Sequence, residues 1–465
     1  MVQLAKTLRL WPWLAAISTG VLYAACFAPF NQTWLCWIAL TPLLAAIWFS
    51  ETNSKRRWRR DALLGYVAGI TFFWIVFFWL RTVTVPGWFL VGVYMGIYFA
   101  LWSWICGALR PGLRKIRQEQ FSGLEAVSRR LTVKRAAEKD PALAVALSRR
   151  ASAESADAST ERGGYSVDLA SDSPARRSPW LRSTNNLRLA FLLAAVWVAQ
   201  EWLRGLVLTG WGWNTFGAAL HDQLAMIQIV EFTGVAGLSF LVVFTNVILL
   251  STARRFMLET QVRPMRPHYD LTLTMAAIVG VMGLGLHALR VQRPTKNLSV
   301  ALVQPYVPRE QKFSGEFAQA IFDKFSQLSA PNLGASARPD LLIWPESSMP
   351  GPVLNDEASY RFVMNFSASA KTDLLLGTID LDETRAYNAA LLVSEAGKRV
   401  QTYRKIHLVP FGEYVPGRHI IPFLARIVGD QVPDDFAFGK EHTVFHLTND
   451  KAQIAPLICF EDTIG

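Results

Sequence analysis

The sequence is poor in charge and in cysteine for a chain of 465 residues. Only 18% of its residues are Asp, Glu, Lys or Arg, while 51% are hydrophobic. Ordinary soluble domains are about 25% charged, so the composition excludes that class, and it also excludes a chain that is disordered throughout. Four cysteines are too few to staple a chain of this length, which excludes a small disulfide scaffold. No GxSxG or GxxxxGK[ST] segment is present to indicate a serine hydrolase or a P-loop enzyme.

The sequence contains long apolar runs. A helix needs about 20 mostly apolar residues to cross a bilayer. Seven stretches come close to that length: Leu10–Phe30, Trp34–Phe49, Leu63–Leu80, Trp88–Leu109, Leu189–Trp202, Ile227–Leu250 and Leu271–Leu289. We therefore predict a membrane α-helical bundle of about seven transmembrane helices.

The basic residues indicate how this bundle is oriented. The chain carries 47 Lys and Arg against 36 Asp and Glu, a formal net charge of +11. The basic residues cluster before the first run and in alternate loops: Lys6, Arg9, Lys55, Arg56, Arg57, Arg59, Arg60, Arg254, Arg255, Arg263 and Arg266. Because Lys and Arg are retained on the cytoplasmic side, we expect the N-terminus inside and everything after Leu289 outside. The positive charge then reflects topology, and no nucleic-acid partner is expected.

Composition divides the chain into four regions. Residues 1–109 hold the first four runs and residues 188–293 hold the last three. Between them, residues 110–187 are basic and rich in Ser, Ala and Gly, which predicts a flexible cytoplasmic insertion or a segment that contacts anionic lipid headgroups. Residues 294–465 alternate short apolar runs with a helical stretch near Gly315–Leu328, which predicts an exported α/β domain.

The predicted strands of the exported domain are the runs Leu298–Gln304, Asp340–Trp344, Thr372–Ile379, Asn388–Ser394 and Ala452–Cys459. Glu346 follows the second run, after a proline that must end the strand. A carboxylate beside apolar walls suits a general base, although a strand-end Glu is more often a solvated or capping residue. Cys459, at the end of the last run, is either inert core or a reactive thiol, because it has no disulfide partner outside the membrane runs.

A loop between these runs carries further charge. The segment from Tyr403 to Pro416 contains two prolines and a glycine, which we expect to fix an extended loop that projects Lys405, His407 and Glu413. Taken alone, the segment would be better interpreted as a surface turn. His407 has no partner at metal-ligand spacing, so we expect no metal site.

One polar pair lies in the membrane half. Glu201 and Arg204 are three residues apart at the end of the fifth run, which places them on one helical face. Ionisable groups at membrane depth have a functional or a pairing role. The two residues therefore either anchor the helix end as a structural pair or line a lipid-facing cavity.

The exported segments resemble the nitrilase, or carbon–nitrogen hydrolase, superfamily, whose triad is Glu, Lys and Cys in that order. Glu346 in Trp344–Ser347, Lys405 before His407–Glu413, and Cys459 match it. The membrane runs narrow the resemblance to the apolipoprotein N-acyltransferase family, whose Glu-Trp-Leu-Arg-Gly…Thr-Gly motif matches Glu201–Gly210.

The resemblance implies a fold, a reaction and two substrates. The fold is a helical membrane bundle followed by an exported α-β-β-α sandwich domain. The reaction transfers an acyl chain from a phosphatidylethanolamine-like phospholipid to a diacylglyceryl apolipoprotein, without metal or other cofactor, in the bacterial inner membrane with the catalytic domain in the periplasm. A monomer is expected. The implied supporting residues are Glu413, Phe460 and Glu461, and the implied substrate-binding residues are Phe313, Glu201 and Arg204.

Some positions depart from the family pattern. The family commonly has Tyr where Phe460 stands and often Trp where Phe313 stands. Members of the family also continue past the position of Gly465 with more of the catalytic domain and an eighth membrane helix, so the resemblance implies an incomplete domain here. Three alternatives stay open at this point: a membrane-anchored amidase or nitrilase acting on a soluble amide, an inactive truncated product, and a transporter with a non-catalytic exported domain.

Overall fold

The structure is a computed structural model. It describes residues 2–50, 56–82, 85–110, 179–207, 210–259, 267–291, 296–312, 314–333, 338–410, 412–415, 418 and 434–463. Most of the predicted insertion, residues 111–178, and the candidate residue Phe313 lie outside the described residues.

The first part of the chain is helical. Its helices are α1 (Val2–Ala24), α2 (Thr41–Phe49), α3 (Arg57–Val76), α4 (Val85–Ala108), α5 (Pro179–Arg204), α6 (Leu224–Ile227), α7 (Val230–Glu259) and α8 (Tyr269–Arg290). Short 3₁₀ turns occupy Thr33–Trp37, Phe78–Thr82 and Gly217–Leu220. Helix α5 begins within the region 110–187, so residues 179–187 belong to a helix.

Three of these helices are long and apolar enough to cross a membrane. They are Val85–Ala108, Val230–Phe256 and Tyr269–Arg290, while Leu10–Ala24 and Thr33–Phe49 are shorter apolar stretches. The described residues therefore form a helical region with three candidate membrane helices, and the predicted count of seven is not confirmed. Helix α5 is not among the candidates, and its first turns carry Arg182, Asn186 and Arg188.

One compact unit comprises Met1–Ile75, Gly96–Val196 and Leu241–Gly280. Buried polar side chains join its elements. Asn246 on α7 donates to the carbonyl oxygen of Cys36 at 2.8 Å and accepts from the backbone nitrogen of Leu40 at 2.9 Å. Asp270, fully buried at the start of α8, accepts from Arg255 Nη1 at 3.1 Å and from Ser183 Oγ at 3.2 Å. These pairings satisfy groups that would otherwise be costly to bury.

A second compact unit comprises Val76–Met95, Trp197–Phe240 and Val281–Gly465. Its sheet has the order β1-β2-β3-β4-β5. The first three strands are parallel to one another, and β4 is antiparallel to both β3 and β5. The strands are β1 (Val300–Leu302), β2 (Leu341–Ile343), β3 (Asp373–Asp382), β4 (Arg385–Val393) and β5 (Val400–Arg404), and β6 (Phe445–His446) pairs with β7 (Gln453–Ile454) in a separate hairpin. The helices are α9 (Arg309–Lys312), α10 (Ala318–Leu333) and α11 (Glu357–Ala370), with 3₁₀ turns at Gly315–Phe317, Thr448–Asp450 and Cys459–Thr463.

Both faces of this sheet are buried. On one face, Leu342, Leu374 and Leu391 pack with residues of α10 and α11 such as Phe325 and Val363. On the other face the alternate strand residues pack against the hairpin and the segment before Cys459; this cluster is Leu341, Ala390, Leu392, Tyr403, Phe445, Leu447 and Ile458. The burial of both faces explains why the strands are near-continuous apolar runs. The α-β-β-α sandwich that the resemblance implies stays a prediction.

Candidate functional site

Glu346 lies where the loop after β2 leaves the sheet. The backbone nitrogen of Trp344 still bonds to Leu375 at 2.8 Å, and Pro345 then ends the ladder. A Cβ atom on Gly377 of β3 would lie 2.5 Å from the Glu346 Cα, so only glycine admits this close approach. Glu346 is exposed, and its Oε1 accepts from Asn388 Nδ2 at 2.7 Å.

Lys405 follows β5 and is buried, with 1% of its surface exposed. The expectation that a loop projects Lys405 outward is wrong, because its backbone nitrogen continues the β5 pairing by donating to the Asn388 carbonyl at 2.8 Å. Its ammonium lies 2.9 Å from Glu413 Oε2 and 3.0 Å from Glu413 Oε1. A buried ammonium needs such a partner, so Glu413 fixes the position of the Lys405 side chain.

Glu413 is itself held by its own turn. Its Oε2 accepts from the backbone nitrogen of Val409 at 2.8 Å, and its Oε1 accepts from Asn388 Nδ2 at 2.6 Å. The turn thus aims the carboxylate back at β4 and β5. Asn388, Glu346, Glu413 and Lys405 form one connected polar cluster.

Cys459 is an exposed residue at the first position of the 3₁₀ turn Cys459–Thr463, with φ at 53°. The expectation of a strand running to Cys459 is wrong, because β7 ends at Ile454. Pro456 has no N–H for a ladder, and the backbone nitrogen of Ile458 bonds to Glu461 Oε2 at 2.9 Å instead.

Electrostatic effects tie the sulfur to the polar cluster. Partial burial raises the pKa of the Cys459 thiol above its ordinary value, and the negative charge of Glu346 raises it further. Lys405 acts in the opposite direction. The hydrogen bonds from the backbone nitrogens of Ile406 and His407 to Glu461 link the turn of Cys459 to the segment that follows Lys405. The sulfur rests as a thiol, so a nearby base is required before it can act as a nucleophile.

Glu461 is a buried clamp, with 3% of its surface exposed. Its Oε1 accepts from the Tyr403 hydroxyl at 2.7 Å and from the backbone nitrogens of Ile406 at 2.7 Å and His407 at 3.1 Å. Burial, reinforced by the Glu461 carboxylate, raises the pKa of Tyr403, so its hydroxyl stays a donor. Glu461 therefore joins the turn of Cys459 to the segment of Lys405, and its side chain is not exposed.

Phe460 belongs to an aromatic cluster. Its ring centroid lies 6.3 Å from that of Trp211 and 5.6 Å from that of Trp213. Phe77 meets both tryptophans at 5.6 and 6.2 Å. The turn that presents Cys459 is thus packed against residues from the helical part of the chain.

Glu201 and Arg204 fasten the segment that carries these tryptophans. Glu201 Oε1 accepts from Trp197 Nε1 at 2.8 Å and from the backbone nitrogen of Phe216 at 2.9 Å. Arg204 Nη2 donates to the Trp213 carbonyl at 2.9 Å. Both side chains are buried, at 6% and 2% exposed, and the contacts described here are with protein groups. Of the two roles left open by the sequence, these contacts favour the structural one.

Asn388 is the member of the cluster that sequence reasoning missed as a site residue. It bonds to both carboxylates, yet the sequence shows only an asparagine at the start of a predicted strand. Asn is depleted in strands, and its presence in an otherwise apolar run was the available signal.

Known proteins match both parts of the chain. Residues 19–125 and 174–248 match the family model of the apolipoprotein N-acyltransferase N-terminal domain, and residues 300–465 match that of carbon-nitrogen hydrolases. A relative from Geobacter metallireducens, named apolipoprotein N-acyltransferase, is 27% identical over 97% of this chain and 73% of its own length. One of the same name from Allorhizobium ampelinum is 30% identical over 58% of this chain and 50% of its own length.

A solved structure also overlaps a part of the chain. It is a CN-hydrolase superfamily protein from Xanthomonas campestris, and it is 18% identical over 36% of this chain and 54% of its own, with a TM-score of 0.27. The chain thus carries a match to the apolipoprotein N-acyltransferase N-terminal domain followed by a match to the carbon-nitrogen hydrolase domain, and a relative named apolipoprotein N-acyltransferase aligns along nearly all of it.

Proposed function

We propose that this protein transfers a fatty acyl chain from a phospholipid to the N-terminal amine of a diacylglyceryl-cysteine in apolipoproteins. The observation that carries the proposal is the polar cluster of Glu346, Asn388, Glu413 and Lys405, together with the bonds by which Glu461 joins the turn of Cys459 to the segment after Lys405. A base, a cation and a sulfur nucleophile are the groups that acyl transfer through a covalent intermediate needs.

In the first half-reaction, Glu346 takes the proton of Cys459 and the sulfur attacks the sn-1 ester carbonyl of the phospholipid. Negative charge develops on the carbonyl oxygen, where the Lys405 ammonium and the backbone N–H of Phe460 stabilise it. A single oxyanion donor is worth about 3 to 4 kcal/mol. The carbon–oxygen bond then breaks, the glycerol oxygen takes the proton from Glu346, and a lysophospholipid leaves behind a thioester on Cys459.

In the second half-reaction, the α-amine of the diacylglyceryl-cysteine attacks the thioester carbonyl. Glu346 accepts a proton from the amine, the carbon–sulfur bond breaks, and the Cys459 sulfur recovers its proton as the amide product leaves. Glu413 keeps Lys405 oriented through both steps, as its two short contacts to the ammonium indicate.

Membrane helices are needed because both substrates keep their acyl chains in the bilayer. We propose an inner-membrane protein with its N-terminus in the cytoplasm and its catalytic domain on the periplasmic side, as the distribution of Lys and Arg favours. The donor is a phosphatidylethanolamine-like lipid, and one copy of the chain carries the three proposed catalytic residues.

The proposal is tested in phosphatidylethanolamine vesicles containing the purified chain. Without acceptor, intact mass spectrometry should show one acyl adduct on Cys459, and a diacylglyceryl lipopeptide should then discharge it as N-acylated product. Cys459→Ala should form neither species, whereas Cys106→Ala, which removes a buried cysteine of the other unit, should form both. Turnover by Cys459→Ala, or hydrolysis of a soluble amide without any lipopeptide acylation, would overturn the proposal.

A further inference from the structure

Asn388 occupies the centre of the polar cluster. Its Nδ2 donates to Glu346 Oε1 at 2.7 Å and to Glu413 Oε1 at 2.6 Å, and its main-chain oxygen accepts from the backbone nitrogen of Lys405 at 2.8 Å. One residue of β4 therefore contacts the proposed base, the residue that orients the cation, and the backbone of the cation itself. Asn388 is 5% exposed, so these contacts are sheltered from water.

The amide oxygen of Asn388 is left unpaired. Among the side-chain atoms that the structure describes, Asn388 Oδ1 is a buried acceptor without a hydrogen-bond partner. Such an atom destabilises a fold by about 1 to 3 kcal/mol. A residue retained only for packing would not carry that penalty, because an apolar side chain of similar size would avoid it. The two N–H bonds are thus the reason to keep an amide at this position.

Two carboxylates that lie close to the same group repel each other. Glu346 and Glu413 both reach Asn388 Nδ2, and like charges at short separation favour protonation of one partner. Donation of one N–H to each stabilises both charged forms without adding a positive charge. Lys405 supplies the compensating charge on the Glu413 side, while Cys459 and the ammonium of Lys312, 3.4 Å from the Glu346 main-chain oxygen, are the other titratable groups near Glu346.

We infer that Asn388 is a positioning residue that fixes the carboxylates of Glu346 and Glu413 relative to each other and to Lys405. This inference rests on the proposed acyl transfer and assigns the division of labour between its two carboxylates. Glu346 remains free to take a proton, and Glu413 remains bound to Lys405.

The test measures the rate of Cys459 acylation in phosphatidylethanolamine vesicles as a function of pH. Asn388→Ala should lower this rate at neutral pH by about 10- to 100-fold, a part of the 10²- to 10⁴-fold that general-base catalysis contributes. The acidic limb of the pH–rate profile of Asn388→Ala should move to higher pH, because loss of the donors favours the protonated carboxyl form. Asn388→Asp, which adds a third negative charge, should move the limb further. Asn365→Ala, at an exposed position of α11, is the matched control and should match the unsubstituted protein.

Stability separates positioning from a structural role. Because Asn388→Ala also removes the unpaired Oδ1, its melting temperature should stay close to that of the unsubstituted protein while its rate falls. An acidic limb that does not move in either variant, or a rate that falls only in proportion to unfolded protein, would overturn the inference. If the unsubstituted chain forms no acyl adduct, the proposed function fails, and infrared titration of the carboxyl bands still decides whether Asn388→Ala favours protonated carboxyl groups.

Discussion

The charge around the sulfur governs when Cys459 can react. Burial and the Glu346 carboxylate both raise the pKa of its thiol, and Lys405 opposes them. In the proposed reaction, the proton of Cys459 must therefore be passed to a base as the substrate arrives. The reactivity of this residue is therefore a property of its neighbours.

The pH dependence of Cys459 alkylation follows from these signs. With iodoacetamide, the rate should rise with a midpoint above about 8.5, the ordinary value for cysteine. Glu346→Gln removes a negative charge and should shift the midpoint to lower pH, whereas Lys405→Met removes a positive charge and should shift it to higher pH. Mass spectrometry of timed samples gives the midpoints, and equal midpoints in all three proteins would contradict the electrostatic account.

A second prediction at this scale concerns Glu461. Glu461→Ala would leave the backbone nitrogens of Ile406, His407 and Ile458 without their buried acceptor. At about 1 to 3 kcal/mol for each unsatisfied donor, the free energy of unfolding should fall by about 3 kcal/mol or more. Thermal unfolding in detergent measures the change, with the exposed neighbour variant Asp462→Ala as control. A shift no larger than that of the control would show that Glu461 does not act as a clamp.

At the scale of elements, the order of strands and helices determines which side chains meet. Glu346 leaves the end of β2, Asn388 lies on β4 and Lys405 follows β5, so these three strands supply the cluster, with β3 between the first two. The close approach of β3 to the backbone after β2 depends on the missing side chain of Gly377.

Gly377→Ala tests that approach. The added methyl group would meet backbone atoms of Glu346, Ser347 and Pro345 within 2.9 Å, and backbone yields less readily than a side chain. We expect Glu346 to be displaced and the acylation rate to fall by about 100-fold, as misplacement of a reacting group by about 1 Å does. Gly315→Ala, whose methyl group would meet nothing within 4 Å, should leave the rate unchanged. Equal rates for the two variants would show that the approach is not needed.

Much of the sheet was predictable because its strands are apolar on both faces. The runs at Leu298–Gln304, Asp340–Trp344, Thr372–Ile379 and Asn388–Ser394 all contain strands. The predicted strands do not include β5, and the predicted loop from Tyr403 includes its last two residues, because the sequence Val-Gln-Thr-Tyr-Arg is mostly polar and its pairing with β4 is a long-range contact. The apolar run predicts a strand up to Cys459, because the bonds to Glu461 that replace the ladder cannot be inferred from spacing.

At the scale of the whole molecule, the predicted count of seven membrane helices is not confirmed within the described residues. Three helices satisfy length and composition together, whereas α3 begins with Arg57, Arg59, Arg60 and Asp61, and α5 carries several polar residues in its first half. The proposed triad could be located in the sequence because its motifs are short and ordered. Asn388 could not, because a hydrogen-bond partner far away in the chain leaves no local pattern.

The proposed orientation predicts which cysteine reagents can reach. Cys26, Cys36 and Cys106 are buried and Cys459 is exposed, so a membrane-impermeant maleimide should label Cys459 alone in intact spheroplasts. Arg59→Cys in a Cys459→Ala background should be labelled only after lysis, because Arg59 belongs to the basic group expected in the cytoplasm. Mass spectrometry of labelled peptides identifies the site. Labelling of Arg59→Cys in intact spheroplasts would reverse the orientation.

The left-handed backbone at Cys459 destabilises the turn that presents the proposed nucleophile. With φ at 53°, any side chain other than glycine is strained there by about 1 to 2 kcal/mol. The turn therefore loses stability by carrying a cysteine at this position. If Cys459 is the nucleophile, as proposed, Cys459→Gly would stabilise the turn and abolish acyl transfer, so folding would favour the variant that catalysis excludes.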